Sequence, residues 1–272
     1  MALRIVSVEG WLGVRRFIDV PFRLFDVERD APWVPPLRLA VRDHLDRKGN
    51  PFYRRADRAL FVAELDGRPV GRVAAIENGW HNEHHGDRTG FFGFFESVDD
   101  SRVAGALLER AEGWLRGRGL DAARGPASPS MNHECGVLVD GQDEHPVVLT
   151  PWNPRYYQRL LEDAGYGKVQ DLLAYDMPLD RGIRVSGRLE RLAGRVQESL
   201  GVNFRDMDFG DFEGEARRLW PVFCEAWKDN WGFVPPGWEE FRHLARSLRP
   251  LLRPGFSFIA EIDGEAVGFM FV

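Results

Sequence analysis

The chain has 272 residues, 44% of them hydrophobic and 29% charged, with a formal net charge of −6. That composition fits a soluble globular protein with room for one large domain or two ordinary ones, and excludes a disordered or collagen-like polymer. The arginines are scattered among acids, which gives no electrostatic footprint for nucleic acid, and no apolar run is long enough to cross a bilayer.

Met1–Val8 lacks the basic and apolar regions of a secretory leader, so the expected location is the cytoplasm. In that reducing compartment the two cysteines, Cys135 and Cys224, are expected to stay free, and they lack zinc-site spacing. Leu3–Val8 reads as an opening strand. Trp11–Phe25 reads as a helix interrupted at Pro21, and Asp30–Pro36, with three prolines in seven residues, as a loop. Ala59–Leu65 and Pro69–Ile76 flank Asp66-Gly67, the pattern of an antiparallel hairpin closed by a two-residue turn.

The next stretch, His81 to Asp87, lies between Asn78-Gly79 and Gly86-Asp87. These flanks predict a solvated connection; His81 and His85 would suit a metal only on a helix. Thr89–Ser97 is an aromatic strand with glycines where a bulge or a close approach is needed. A helix capped by Asp99 or Asp100 follows, with Val103, Ala104, Leu107, Leu108, Ala111, Trp114 and Leu115 on one stripe and Gly119 past its end.

Ala122–Gly125 and Val147–Thr150 read as short strands, Pro154–Ala164 as a helix stopped by Gly165, and Lys168–Met177 as a last strand. The expected class is α/β, a mixed sheet with helices on both faces. The arginine-rich run Arg181–Arg195 puts several guanidinium groups on one helical face. A linker helix is the preferred reading, with membrane or RNA contact as the alternative.

One stretch of the chain occurs twice. Phe61–Gly71 returns as Phe258–Gly268, 197 residues later, with seven of eleven positions identical. Val34–Pro36 returns as Val234–Pro236, and Val202 stands 197 residues after Ile5. Repetition at this distance implies two domains of one fold: residues 1–180, a linker helix over 181–200, and the front half of a second domain over 201–272. The closing strand Ala266–Val272 would be an apolar edge, to be covered by the first unit, paired in a homo-oligomer or, the preferred reading, continued by polypeptide past Val272.

The element order, the Asp-Gly hairpin and the segment Asn153-Pro154-Arg155-Tyr156-Tyr157 ending in Ala164-Gly165-Tyr166 resemble the GNAT superfamily of acyl-CoA-dependent N-acyltransferases. The resemblance implies a GNAT-like fold, acetyl-CoA or another acyl-CoA as co-substrate, and transfer to the amine of a small molecule or peptide, without metal, nucleic acid or membrane. A non-catalytic binding or scaffold module of the same fold is the rival.

In that family the cofactor pyrophosphate sits on a glycine-rich loop at the helix after the fourth strand. The matching positions here are Asp99-Asp100-Ser101-Arg102-Val103-Ala104, so the first domain is expected to carry a degenerate phosphate loop and the second to be the catalytic one. The residues the resemblance assigns to cofactor contact are Phe95, Glu96, Arg102 and Asn153. Glu134 is the candidate general base, with turn capping as the alternative, and Tyr157 the candidate acid, with core packing as the alternative. A nucleophilic Cys135 beside His133 is disfavoured because no third group orients the pair. Trp227–Phe233 suits either an acceptor pocket or packing between domains.

Overall fold

The computed structural model describes residues 2–30, 32–175 and 186–271. The chain divides into two compact units, Met1–Asp171 and Leu172–Val272.

In the first unit β1 (Leu3–Val8) leads into α1 (Gly10–Ile18), α2 (Pro21–Leu24) and α3 (Arg38–His44). Pro21 begins α2, where its missing N–H costs nothing. Then come the hairpin β2 (Ala56–Leu65) and β3 (Arg68–Asn78), α4 (Gly79–His85), β4 (Thr89–Ser97), α5 (Ser101–Arg116) and β5 (Ala122–Arg124). A two-residue pair, β6 (Ala127–Ser128) with β7 (Glu134–Cys135), and α6 (Tyr156–Asp163) complete the unit.

The five strands β1 to β5 lie side by side in sequence order. All pairs are antiparallel except β4 with β5, which run parallel from Thr89 opposite Ala122 to Phe91 opposite Arg124. The stripe of α5 packs with Phe61, Val73, Ala75 and Phe92 on one face of the sheet. Phe17, Val41, Leu45 and Phe52 pack with Leu60, Ala74 and Phe91 on the other. Each large apolar side chain so buried contributes roughly 2 kcal/mol.

The second unit holds α7 (Gly187–Leu200), β8 (Asn203–Asp206), α8 (Phe212–Trp227), α9 (Trp238–Leu248), β9 (Ser257–Ile262) and β10 (Glu265–Phe271). Its sheet runs β10-β9-β8, antiparallel throughout. Arg205 of β8 clamps Glu215 of α8 through two bonds of 2.9 and 3.0 Å, and also bonds Glu261 of β9 at 2.8 Å. Glu215 is buried, so this bidentate pair ties helix to sheet where a lone carboxylate would be costly.

The repeat is structural. Asp66 and Gly67 have φ of 49° and 81°, Asp263 and Gly264 of 51° and 84°, so both hairpins close through the same left-handed turn that only Gly and Asn/Asp take readily. The two Val-Pro-Pro segments stand just before α3 and α9. The first strands match with a different offset: Ile5 lies opposite Ala63, and Phe204, not Val202, opposite the equivalent Ala260. A two-residue slip keeps every side chain on its face, because the strand period is two.

Three sequence expectations are corrected. The His81 to Asp87 stretch is mostly helix α4, begun by the Asn78 side chain accepting the His81 N–H and ended at Gly86 with φ 66°. His81 is buried there against Phe91, with burial lowering its pKa to about 4. Val147–Thr150 is an exposed loop, not a strand. Lys168–Tyr175 forms no strand and is exposed; Met177 and Arg181 lie outside the described residues.

Candidate functional site

The site begins with an irregularity in β4. Arg72 pairs with Glu96 and Ala74 with Gly93, so Phe94 and Phe95 together stand opposite Val73. This bulge puts Phe94 at φ 49° and re-aims the strand. Beyond Phe91 no register pairs β4 with β5. Along this stretch the protein uses β4's backbone groups itself. Phe94 N–H donates to Ser128 Oγ at 2.9 Å, Ser97 N–H to Tyr157 Oη at 3.0 Å, and Tyr156 Oη donates to the Ser97 carbonyl at 2.9 Å.

Behind the bulge lies a buried charged network. The Arg72 guanidinium donates to the Phe17 carbonyl at 3.1 Å and to Glu96 Oε1 at 3.3 Å, and Tyr157 Oη donates to Glu96 Oε2 at 2.6 Å. Burial pushes the Glu96 carboxyl up; the Arg72 charge and the Tyr157 bond oppose it. Burial and the Glu96 charge hold the Tyr157 phenol neutral, far above its ordinary value. Phe95, also buried, meets the Tyr157 ring edge-on at 5.3 Å.

Glu134 stands at the outer rim of this network. The β6–β7 pairing sets it opposite Ser128, whose hydroxyl holds the bulge. The residue is solvent-accessible, yet protein surrounds its carboxyl closely enough to raise the pKa to about 7. Glu96 adds to the rise and Arg72 opposes it. Next to it the Cys135 thiol is pushed up by burial and then by the Glu134 charge, the reverse of what a nucleophile needs. His133 Nδ1 bonds Ser130 Oγ at 2.8 Å.

At the start of α5 the Asp100 side chain accepts the Arg102 N–H at 2.9 Å and pairs with the Arg102 guanidinium. Asp99 pairs with Arg159, and Ser101 Oγ donates to Asp163 at 2.6 Å. A pyrophosphate approaching this helix end would meet carboxylates where the dipole favours an anion, and a backbone edge already bonded to tyrosines. The residues of the first unit therefore do not fit the coenzyme in the manner of the resemblance. Asn153 is buried and fully engaged, accepting the Leu138 N–H at 2.7 Å and donating to the carbonyls of Leu138 and Pro154.

Of the sequence-predicted residues, the structure gathers Glu134, Tyr157, Phe95 and Glu96 around the bulge, while Arg102 is at the α5 start and Asn153 pins a loop. Arg72, Ser128 and Tyr156 were missed. For Arg72 a signal existed: its counterpart in the repeat is Phe269, and a charge in one copy of an otherwise apolar strand marks a buried partner. In the second unit Trp227 and Phe233 pack with Phe223, so part of that aromatic run is core.

The chain has a GNAT-like fold. A tandem GNAT protein from the clavulanic acid biosynthesis pathway superimposes with a TM-score of 0.52 at 14% identity, covering 98% of this chain and 73% of that one. The chain belongs to the family of a bacterial ceramide synthase of Caulobacter vibrioides, with which it is 37% identical over 270 residues, 98% of this chain and 68% of that protein. Protein YghO of Escherichia coli K12 is 34% identical over 257 residues, 94% of this chain and 64% of that one. The chain thus spans about two thirds of the length of these curated relatives. No family model matches it.

Proposed function

We propose that the protein is an acyl-CoA-dependent N-acyltransferase that forms an amide on the amine of a long-chain amino alcohol, the bond that defines a ceramide. The observation that carries this reading is the identity with the bacterial ceramide synthase along nearly the whole chain. The geometry supports it at one residue. An amine must shed a proton to attack an acyl carbon, and Glu134 offers an accessible carboxylate with a pKa of about 7, a good match for a general base near neutrality. Tyr157 has its proton directed at Glu96, which suits a positioning role for it.

The α5 end of the first unit is capped by its own acids, Asp100 on Arg102 and Asp99 on Arg159. That same capping is what favours the second reading, a GNAT-fold module that binds an amine without transferring to it. Incubation of the 272-residue chain with a long-chain acyl-CoA and a sphingoid base, followed by free thiol and by amide mass, separates the two. Amide formed by the wild type and strongly reduced in Glu134→Gln is expected. Saturable amine binding with no amide from the wild type would select the module.

A further inference from the structure

We propose that α7 docks on an anionic phospholipid surface and brings the enzyme to its lipid. This proposal rests on the reading of the acceptor as a long-chain amine. Such an acceptor and its amide product reside in bilayers. Among the described residues no helix is long and apolar enough to cross a membrane, and an amphipathic helix lying in the interface is another way to reach a bilayer.

The helix is built for that. Ser186 caps it, and helical spacing places Leu189, Leu192, Val196 and Leu200 on one stripe. None of its residues is buried, and these four are 55%, 49%, 44% and 55% exposed. An isolated helix of 14 residues is marginal in water, so a stripe of this kind calls for an apolar cover.

Charge identifies the cover. Arg188, Arg191 and Arg195 follow one another along one side of the stripe, and among the described residues none forms an ion pair. Elsewhere many arginines are held in ion pairs, Arg72, Arg118, Arg159, Arg205 and Arg242 among them, and others stack on rings, as Arg110 does on Phe61 and Arg217 on Trp238. Leucines flanked by guanidinium groups that meet no carboxylate among the described residues suit acyl chains beneath a layer of phosphates, with the long arginine stems reaching up to the headgroups.

The test uses the full 272-residue chain and sedimentation with vesicles of phosphatidylcholine alone or mixed with phosphatidylglycerol. Binding to the mixed vesicles, weakened by salt, is expected. Arg188→Gln with Arg191→Gln and Arg195→Gln should lower it on the order of 100-fold, at about tenfold or less per arginine. Leu192→Glu with Val196→Glu should abolish it. If this last pair also lowers the melting temperature, the arginine variants carry the decision. Absence of vesicle binding, binding indifferent to both sets of changes, or preference for a polynucleotide would overturn the proposal. So would a dimer in sedimentation velocity that Val196→Glu converts to monomer, because the stripe would then be covered by a second copy. Amide formation from detergent-dispersed substrates reports on the acyltransferase reading separately.

Discussion

The Tyr157 hydroxyl donates to Glu96 at 2.6 Å and accepts from the Ser97 N–H at 3.0 Å, so one buried phenol satisfies a carboxylate and a strand at once. Removing it should cost stability whatever happens to activity. Tyr157→Phe leaves a buried N–H unpaired and a carboxylate short of a donor, for a loss of about 2–3 kcal/mol. The urea midpoint should fall with an unchanged slope. A variant as stable as the wild type would show that the phenol is not part of the scaffold.

Arg72 and Glu96 should be coupled. Arg72→Met strands the Glu96 charge beneath the sheet, at a cost of about 3–5 kcal/mol. Glu96→Gln in that background removes the stranded charge and should recover part of the loss. The double variant is therefore expected to be clearly more stable than the sum of the single changes, in equilibrium unfolding of all four proteins. Additive losses would mean that the two side chains do not sense one another.

Glu134 contributes a pH dependence that substitution can isolate. Its folded pKa of about 7 lies above the ordinary 4.5, so between these values the native state holds a proton that the unfolded chain has released. The stability from the protonated carboxyl is complete below 4.5 and lost as pH rises through about 7. Glu134→Gln cannot ionise, so its unfolding midpoint relative to wild type should rise between about pH 5 and about pH 8. Under the proposed role the acylation rate of the wild type climbs through the same window, and the variant's does not. A wild-type profile flat from about pH 5 to 8 would remove Glu134 as the base.

The acids at the start of α5 separate charge from geometry. Asp99→Asn with Asp100→Asn keeps a capping side chain at position 100 while discharging the helix end. The edge of β4 stays occupied by Tyr156, Tyr157 and Ser128. Calorimetry with acyl-CoA on the full chain should thus show less than about a fivefold gain in affinity, the scale of two surface charges near a dipole. A much larger gain would mean that repulsion alone kept the coenzyme from this unit.

Much of the fold was legible because local signals agreed with one another. Asp66-Gly67 and its copy at Asp263-Gly264 are turns that few residue pairs can make, and the Val103-to-Leu115 stripe admits only a helix. Local signals also misled. Asn78-Gly79 looked like a turn, but the Asn78 side chain caps a helix with the same chemistry. The Val147–Thr150 run is apolar enough for a strand, yet nothing in the unit pairs with it. The candidate site was half legible. Glu134 could be picked as an acid in a Gly/Pro/Ser-rich segment, whereas its neighbours Arg72 and Ser128 reach it only through sheet register and the β6–β7 pairing.

Gly93 tests whether that pairing sets the site. A Cβ there would lie 1.7 Å from the Ala127 carbonyl oxygen and 2.6 Å from its carbon, backbone atoms with no rotamer to yield. Gly93→Ala must therefore push β6 away from β4. Ser128 then loses the Phe94 N–H, and Glu134, carried opposite Ser128, moves out from the network. The expected loss is about 3 kcal/mol, at the upper end for overpacking, and the Glu134 titration should fall back toward an ordinary carboxylate. Gly105→Ala is the control: it lies inside α5 with nothing within 4 Å of the added methyl, so it should stabilise by about 0.5–1 kcal/mol. A Gly93→Ala protein with the wild-type midpoint and an unshifted Glu134 would show that β6 does not hold the carboxylate in place.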